Sequence, residues 1–185
     1  MTEWQGSTAL IVIDVQTGFD DAAYWGPRNN PSCESNVGLL IAGWRSHDWP
    51  IVYVRHDSKT PSSPLFPPSS GNRFKDVVSG EPDLLVVKSV HSAFYGEPNL
   101  DKWLKENDVS GVAICGIQTN QCCETTARTA SDLGYEVLFV ADATHTFDIV
   151  TDTKKVYRAR EVSRYSELTI DDAFGRVVHT SDLVG

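Results

Sequence analysis

Residues 116–128 read GIQTNQCCETTAR and place a vicinal cysteine pair, Cys122 and Cys123, in the first turn of a helical pattern, just after the apolar run Val109–Cys115. A helix N-terminus offers unpaired backbone N–H groups and the positive end of the macrodipole, which favour an ionised sulfur and can receive the oxyanion of an attacked carbonyl. One turn therefore offers a nucleophile and an electrostatic stabiliser together. Two further polar residues end apolar runs: Asp14 in ALIVIDVQ and Lys88 in LLVVK. A carboxylate in such a run is costly unless a partner or a proton-transfer role compensates. Taken alone, Asp14 also fits a turn cap, Lys88 a snorkelling surface lysine and Cys122 a packed thiol. If the three converge, an acid, a cation and a thiol form a catalytic constellation in which Asp14 takes the thiol proton and later returns it to a leaving nitrogen.

The elements that would position them are short, β-branched and nearly continuous in apolar residues: Thr8–Val15, Ile51–Arg55, Leu84–Lys88, Val109–Cys115 and Glu136–Ala141. Such runs read as strands buried on both faces. Amphipathic segments alternate with them at Val37–His47, Leu100–Asn107 and Glu124–Leu133, and a helix around Lys154–Tyr165 and a strand at Arg176–His179 complete the pattern. The expectation is a doubly wound α/β fold, with a mostly parallel sheet of about six strands and helices on both faces. In such sheets ligands sit beyond the carboxyl ends of the strands, which puts Asp14, Lys88 and Cys122 on one rim. The Pro- and Ser-rich stretch Ser58–Asn72 reads as a surface loop near that rim.

A chain of 185 residues with 41% hydrophobic content fits one domain over 1–185. A formal net charge of −9 argues against nucleic acid and anionic membrane surfaces as partners. No basic segment followed by an apolar stretch opens the sequence, so the expected location is cytoplasmic. The four cysteines, at 33, 115, 122 and 123, lack disulfide or zinc spacing; Cys115 reads as a buried small hydrophobe and Cys33 as a loop residue.

Three motifs in order, D-V-Q-x-x-F at 14–19, the strand-ending lysine at 88 followed by S-A-F at 92–94, and G-I-Q-T-N-x-C at 116–122, resemble the isochorismatase-like cysteine hydrolase superfamily, which includes the nicotinamidases. The resemblance runs from about Leu10 to Asp148. It implies an Asp14–Lys88–Cys122 triad, a cis peptide between Ile117 and Gln118, and an oxyanion hole from the Gln118 and Cys122 amides. The implied reaction is hydrolysis of a C–N bond in a small amide-type substrate through a thioester. Members that cleave the vinyl ether of isochorismate lack the cysteine, and nicotinamidases hold a metal through a D-x-H pair and a further histidine. This chain has Arg55-His56-Asp57-Ser58 at that strand end, so no metal and no cofactor are expected.

Substrate contacts are expected from Gln16, Phe19, Trp25, Phe94 and Tyr95, which follow strand ends. Gln16 can equally orient its strand end, and the aromatics can equally pack in a core or a subunit contact. Arg128 reads as one side of a helical salt bridge and His145 as a hydrogen-bonded structural imidazole. Family members commonly form oligomers, and Trp25, Trp44 and Trp49 suit the interface of a dimer or tetramer. A thiol-redox sensor using Cys122 and Cys123 and a catalytically silent binding domain are the rival readings; adjacent cysteines close a strained ring, which disfavours the first.

Overall fold

The computed structural model describes residues 8–184; the expected domain also takes in residues 1–7 and 185, which lie outside the described residues. Six parallel strands form one sheet in the order β3-β2-β1-β4-β5-β8. They are β1 (Thr8–Ile13), β2 (Ile51–His56), β3 (Leu84–Lys88), β4 (Gly111–Ile117), β5 (Glu136–His145) and β8 (Arg176–Val178). Every residue of β1 and β4 is buried, the signature of strands covered on both faces.

Alternate side chains of β1 go to opposite cores. Ala9, Ile11 and Ile13 pack with Leu100 and Leu104 of α3 (Leu100–Glu106), Ala127 and Ala130 of α4 (Glu124–Asp132) and Ile170 of α5 (Ala159–Ala173). Leu10 and Val12 pack with Val37, Leu40, Ile41 and Trp44 of α2 (Cys33–Ser46). The period-two pleat thus builds a three-layer structure from one apolar run.

The chain leaves β1 for β2 and β3 on one side and then crosses to β4, β5 and β8 on the other. The order reverses between β1 and β4, and at such a switch the connections diverge and leave a crevice at the carboxyl ends. Two residues shape that end. Asp14 closes β1 in the left-handed region, at φ 52°, and Gly116, at φ 124°, lies so close to Ile13 that a Cβ there would run into the Ile13 carbonyl. The β4–β5 register also shifts between Ile114 and Gly116.

Several boundaries differ from expectation. Helix α2 starts at Cys33, which is buried in the first turn rather than exposed in a loop. The last long helix runs from Ala159 to Ala173 instead of Lys154–Tyr165. Lys154 adopts φ 61° in the turn of a hairpin, β6 (Ile149–Val150) and β7 (Val156–Tyr157), and Glu161 caps the helix start at Arg158. The three tryptophans expected at an interface are not exposed: Trp44 is fully buried, Trp49 packs on the same core, and Trp25 joins Phe19 and Phe147. The exposed apolar side chains include Val150, Val156, Tyr165 and Leu168, on the hairpin and α5. Among the described residues no helix is long and apolar enough to cross a membrane.

Candidate active site

The crevice at the switch point holds a cavity of about 210 Å³ whose floor is Asp14, Gln118 and Cys122. Asp14 is fully buried, and its Oδ2 accepts from Lys88 Nζ at 2.6 Å in an ion pair with no exposed side-chain surface on either partner. The pairing follows from the sheet: β1 and β3 flank β2, and register sets Lys88 beside His56. Asp14 Oδ1 is also buried and accepts no hydrogen bond. Ligating atoms of Asp14, His56 and Cys122 lie within 4.8 Å of one another.

Cys122 lies in a π-helical turn, Thr119–Cys123, that runs into α4, and the Ile117–Gln118 peptide before it is cis. The thiol is 8% exposed, toward the cavity, while Cys123 is sealed in the core below α4. All four cysteines are free. The sequence led us to expect an ionised sulfur, and the structure favours the thiol. Burial pushes Cys122 up to about 12 and the Asp14 carboxylate adds to the rise, with Lys88 opposing. Desolvation and a like charge outweigh the helix terminus.

Burial works against the Lys88 charge, but Asp14 and Cys122 overcome it and raise its pKa. Asp14, His56 and Cys122 have the atom types of a metal site, yet Lys88 Nζ already donates to Asp14 Oδ2 and contacts His56 Nδ1 at 3.2 Å. The ammonium thus contacts two of the three groups in the cluster.

Two walls rise from this floor. Phe19, Trp25 and Leu65 form an apolar side, with Trp25 and Phe147 stacked 5.5 Å apart and Trp25 Nε1 donating to the Gly18 carbonyl. Ser58, Thr60 and Ser63 form a polar side from the expected loop, which Asn72 pins through the His56 and Leu65 carbonyls. Gly71 lets this loop touch the 17–20 segment, since a Cβ there would meet the Pro64 carbonyl and Gly18. His91 stands at the rim, its Nδ1 3.8 Å from Cys122 Sγ.

Of the residues expected around substrate, Phe19 and Trp25 line the cavity and three do not. Gln16 is fully buried and spends its amide on the His56 N–H, the His56 carbonyl and the Asn72 carbonyl, so it orients strand ends. Phe94 packs on Tyr135 inside the core, and Tyr95 is 76% exposed outside the cavity. His145 also differs from expectation: it is fully buried, neither ring nitrogen makes a hydrogen bond, and burial brings its pKa down to about 3. Arg128 does pair with Glu124, at 2.7 Å. Sequence reasoning missed His91, a solitary histidine in a loop, and noted His56 only within a strand end that lacks the metal-binding pattern.

The sheet order, the switch point and the thiol define a doubly wound α/β protein of isochorismatase-like architecture. The isochorismatase domain model matches residues 8–169. The chain is 34% identical to the isochorismatase family protein YrdC of Bacillus subtilis, over 95% of this chain and 94% of that one. It is 31% identical to nicotinamidase 3 of Arabidopsis thaliana, over 76% and 74% of the two chains. An isochorismatase-family crystal structure from Chromobacterium violaceum superposes with a TM-score of 0.91 at 31% identity, covering 100% of this chain and 95% of that one. This chain belongs to the isochorismatase family and is a hydrolase of that family.

Proposed function

We propose that the protein hydrolyses the C–N bond of a small amide-type substrate through a Cys122 thioester, with Asp14 as proton carrier and Lys88 as the fixed positive charge. The observation that carries this reading is Asp14: one carboxylate oxygen is anchored by Lys88, the other is buried and unpartnered, and the carboxylate lies within 4.8 Å of the thiol sulfur. Such an oxygen is set up to accept one proton.

As Cys122 Sγ bonds to the carbonyl carbon, its proton goes to Asp14 Oδ1, and the carbonyl electrons move to oxygen. The backbone amides of Gln118 and Cys122 receive that oxyanion. Collapse breaks the C–N bond, and the nitrogen departs with the proton from Asp14 as ammonia or an amine. A water then adds to the thioester while Asp14 takes its proton, the C–S bond breaks, and Asp14 returns the proton to sulfur. The acid product leaves with the enzyme restored.

The similarity to nicotinamidase 3 supports an amide as the substrate type. The cavity volume of about 210 Å³ supports a substrate of few heavy atoms. The test is intact-mass detection of an acyl-enzyme, with ammonia release over a panel of small amides and ureides. An adduct that persists in Cys122→Ala protein would overturn the nucleophile assignment.

A further inference from the structure

His56 ends β2 with its backbone clamped: Gln16 Oε1 accepts from its N–H, and its carbonyl accepts from Gln16 and Asn72. Its ring meets Lys88, whose Nζ lies 3.2 Å from Nδ1. An ammonium has only hydrogens to offer, so Nδ1 must supply the lone pair. Burial first, and then the charge on Lys88, lower the affinity of the ring for a second proton. A neutral ring that accepts at Nδ1 carries its hydrogen on Nε2. Among the described residues nothing accepts from Nε2, and His56 lines the cavity. The pocket, which Gln118, Gln121 and the rim residue His91 also line, therefore holds at His56 a ring N–H donor fixed by its Lys88 contact and its clamped backbone.

We propose that His56 is a specificity-determining residue that donates Nε2–H to a second acceptor on the substrate, set a few bonds from the scissile carbonyl. This rests on the amide-hydrolase reading above and narrows it. A near-attack carbonyl stands about 3–3.5 Å from sulfur, and a hydrogen-bonded acceptor about 2.7–3.2 Å from the ring nitrogen. A ring nitrogen of His56 lies within 4.8 Å of the sulfur, so both groups fit within one small acyl unit. Phe19 and Trp25 give such a unit an aromatic face to lie on. The favoured class is small planar carboxamides with an acceptor nitrogen or a second carbonyl, in preference to purely apolar amides.

The three pyridinecarboxamides and benzamide test this, because they share a shape and differ by one acceptor atom. Binding is measured in Cys122→Ala protein, so absence of turnover, which would sink the hydrolase reading, leaves this result standing. At least one pyridine isomer should bind roughly tenfold tighter than benzamide, on the scale of one hydrogen bond to a desolvated donor. The preference should collapse to within about twofold when His56→Phe is added and partly return with His56→Asn, which keeps an N–H donor. Long-range ¹H–¹⁵N spectra should show His56 neutral with hydrogen on Nε2 at pH 7, a readout that a purely structural histidine would not require. Equal binding of all four amides, a preference that survives His56→Phe, or hydrogen on Nδ1 would overturn the proposal.

Discussion

Replacing Lys88 by Met removes the ammonium and keeps most of the apolar stem. Both side chains of the Lys88–Asp14 pair are wholly buried, at 2.6 Å, and Asp14 Oδ1 has no other partner. The variant thus leaves a carboxylate in the interior with neither oxygen neutralised. Removing one member of a buried pair costs about 3–5 kcal/mol. At about 2–4 °C per kcal/mol for a chain of this size, the melting temperature should fall by about 6–20 °C. Because the folded pKa of Lys88 is raised, the ion pair contributes fully below the ordinary lysine pKa and fades as pH rises through the folded value. The gap between wild type and Lys88→Met should hold steady from pH 7 to 9 and narrow only in stronger alkali. Adding Asp14→Asn should recover much of the loss, since a neutral replacement for both partners strands no charge, while activity stays absent. Circular dichroism melts of the three proteins decide it. A single variant that melts within about 1 °C of wild type, or a double variant less stable than Lys88→Met, would refute the reasoning.

Asp14→Asn alone should abolish turnover yet speed alkylation of Cys122 by iodoacetamide at neutral pH, because it removes the like charge that helps hold the sulfur protonated; peptide mapping of the modified cysteine checks this. In wild type the same alkylation should keep accelerating past pH 9, where an ordinary thiol of pKa about 8.5 levels off. Gln16→Leu leaves the His56 N–H and the Asn72 carbonyl without a side-chain partner, and a loss of about 3 kcal/mol should appear in denaturant unfolding, with impaired kcat. Cys123→Ala should cost about 1 kcal/mol through a small core cavity and leave turnover intact; loss of activity on mild oxidation that disappears in this variant would instead favour the vicinal redox pair.

The sheet and its polar strand ends were legible because two apolar runs stop at residues that burial alone would not tolerate, Asp14 and Lys88. Those stops mark the carboxyl rim of a parallel sheet. What the sequence could not carry is anything set by register between strands. His56 gains its contact with Lys88 only through the β2–β3 pairing, and His91 reaches Cys122 from 31 residues away. Phe94 and Tyr95 illustrate the same limit: adjacent residues after one strand end take opposite fates, one in the core and one in solvent. The start of α5 was misjudged because the 151–158 stretch keeps a loosely amphipathic pattern while its turn and hairpin depend on local side-chain bonds such as those of Thr151 to Lys155.

The protonation state of Cys122 was misread for a more instructive reason. A helix terminus contributes about 0.3–1 kcal/mol to a nearby charge and up to about 2 in partly buried settings. Two like unit charges about 4 Å apart at an effective dielectric near 20 repel by about 4 kcal/mol, which is about three pKa units. An Asp14 carboxylate beside a Cys122 thiolate therefore outweighs the helix terminus, and it adds to burial, the first cause of the rise to about 12. Moving the proton from sulfur to Asp14 removes the repulsion and leaves the thiolate facing Lys88 alone. The resting site holds one negative and one positive charge, and so does the proton-transferred site. In the mechanism we propose, the buried Asp14–Lys88–Cys122 cluster keeps its net charge constant through the attack, so the thiolate arises where the carboxylate can take its proton and is not stored at rest.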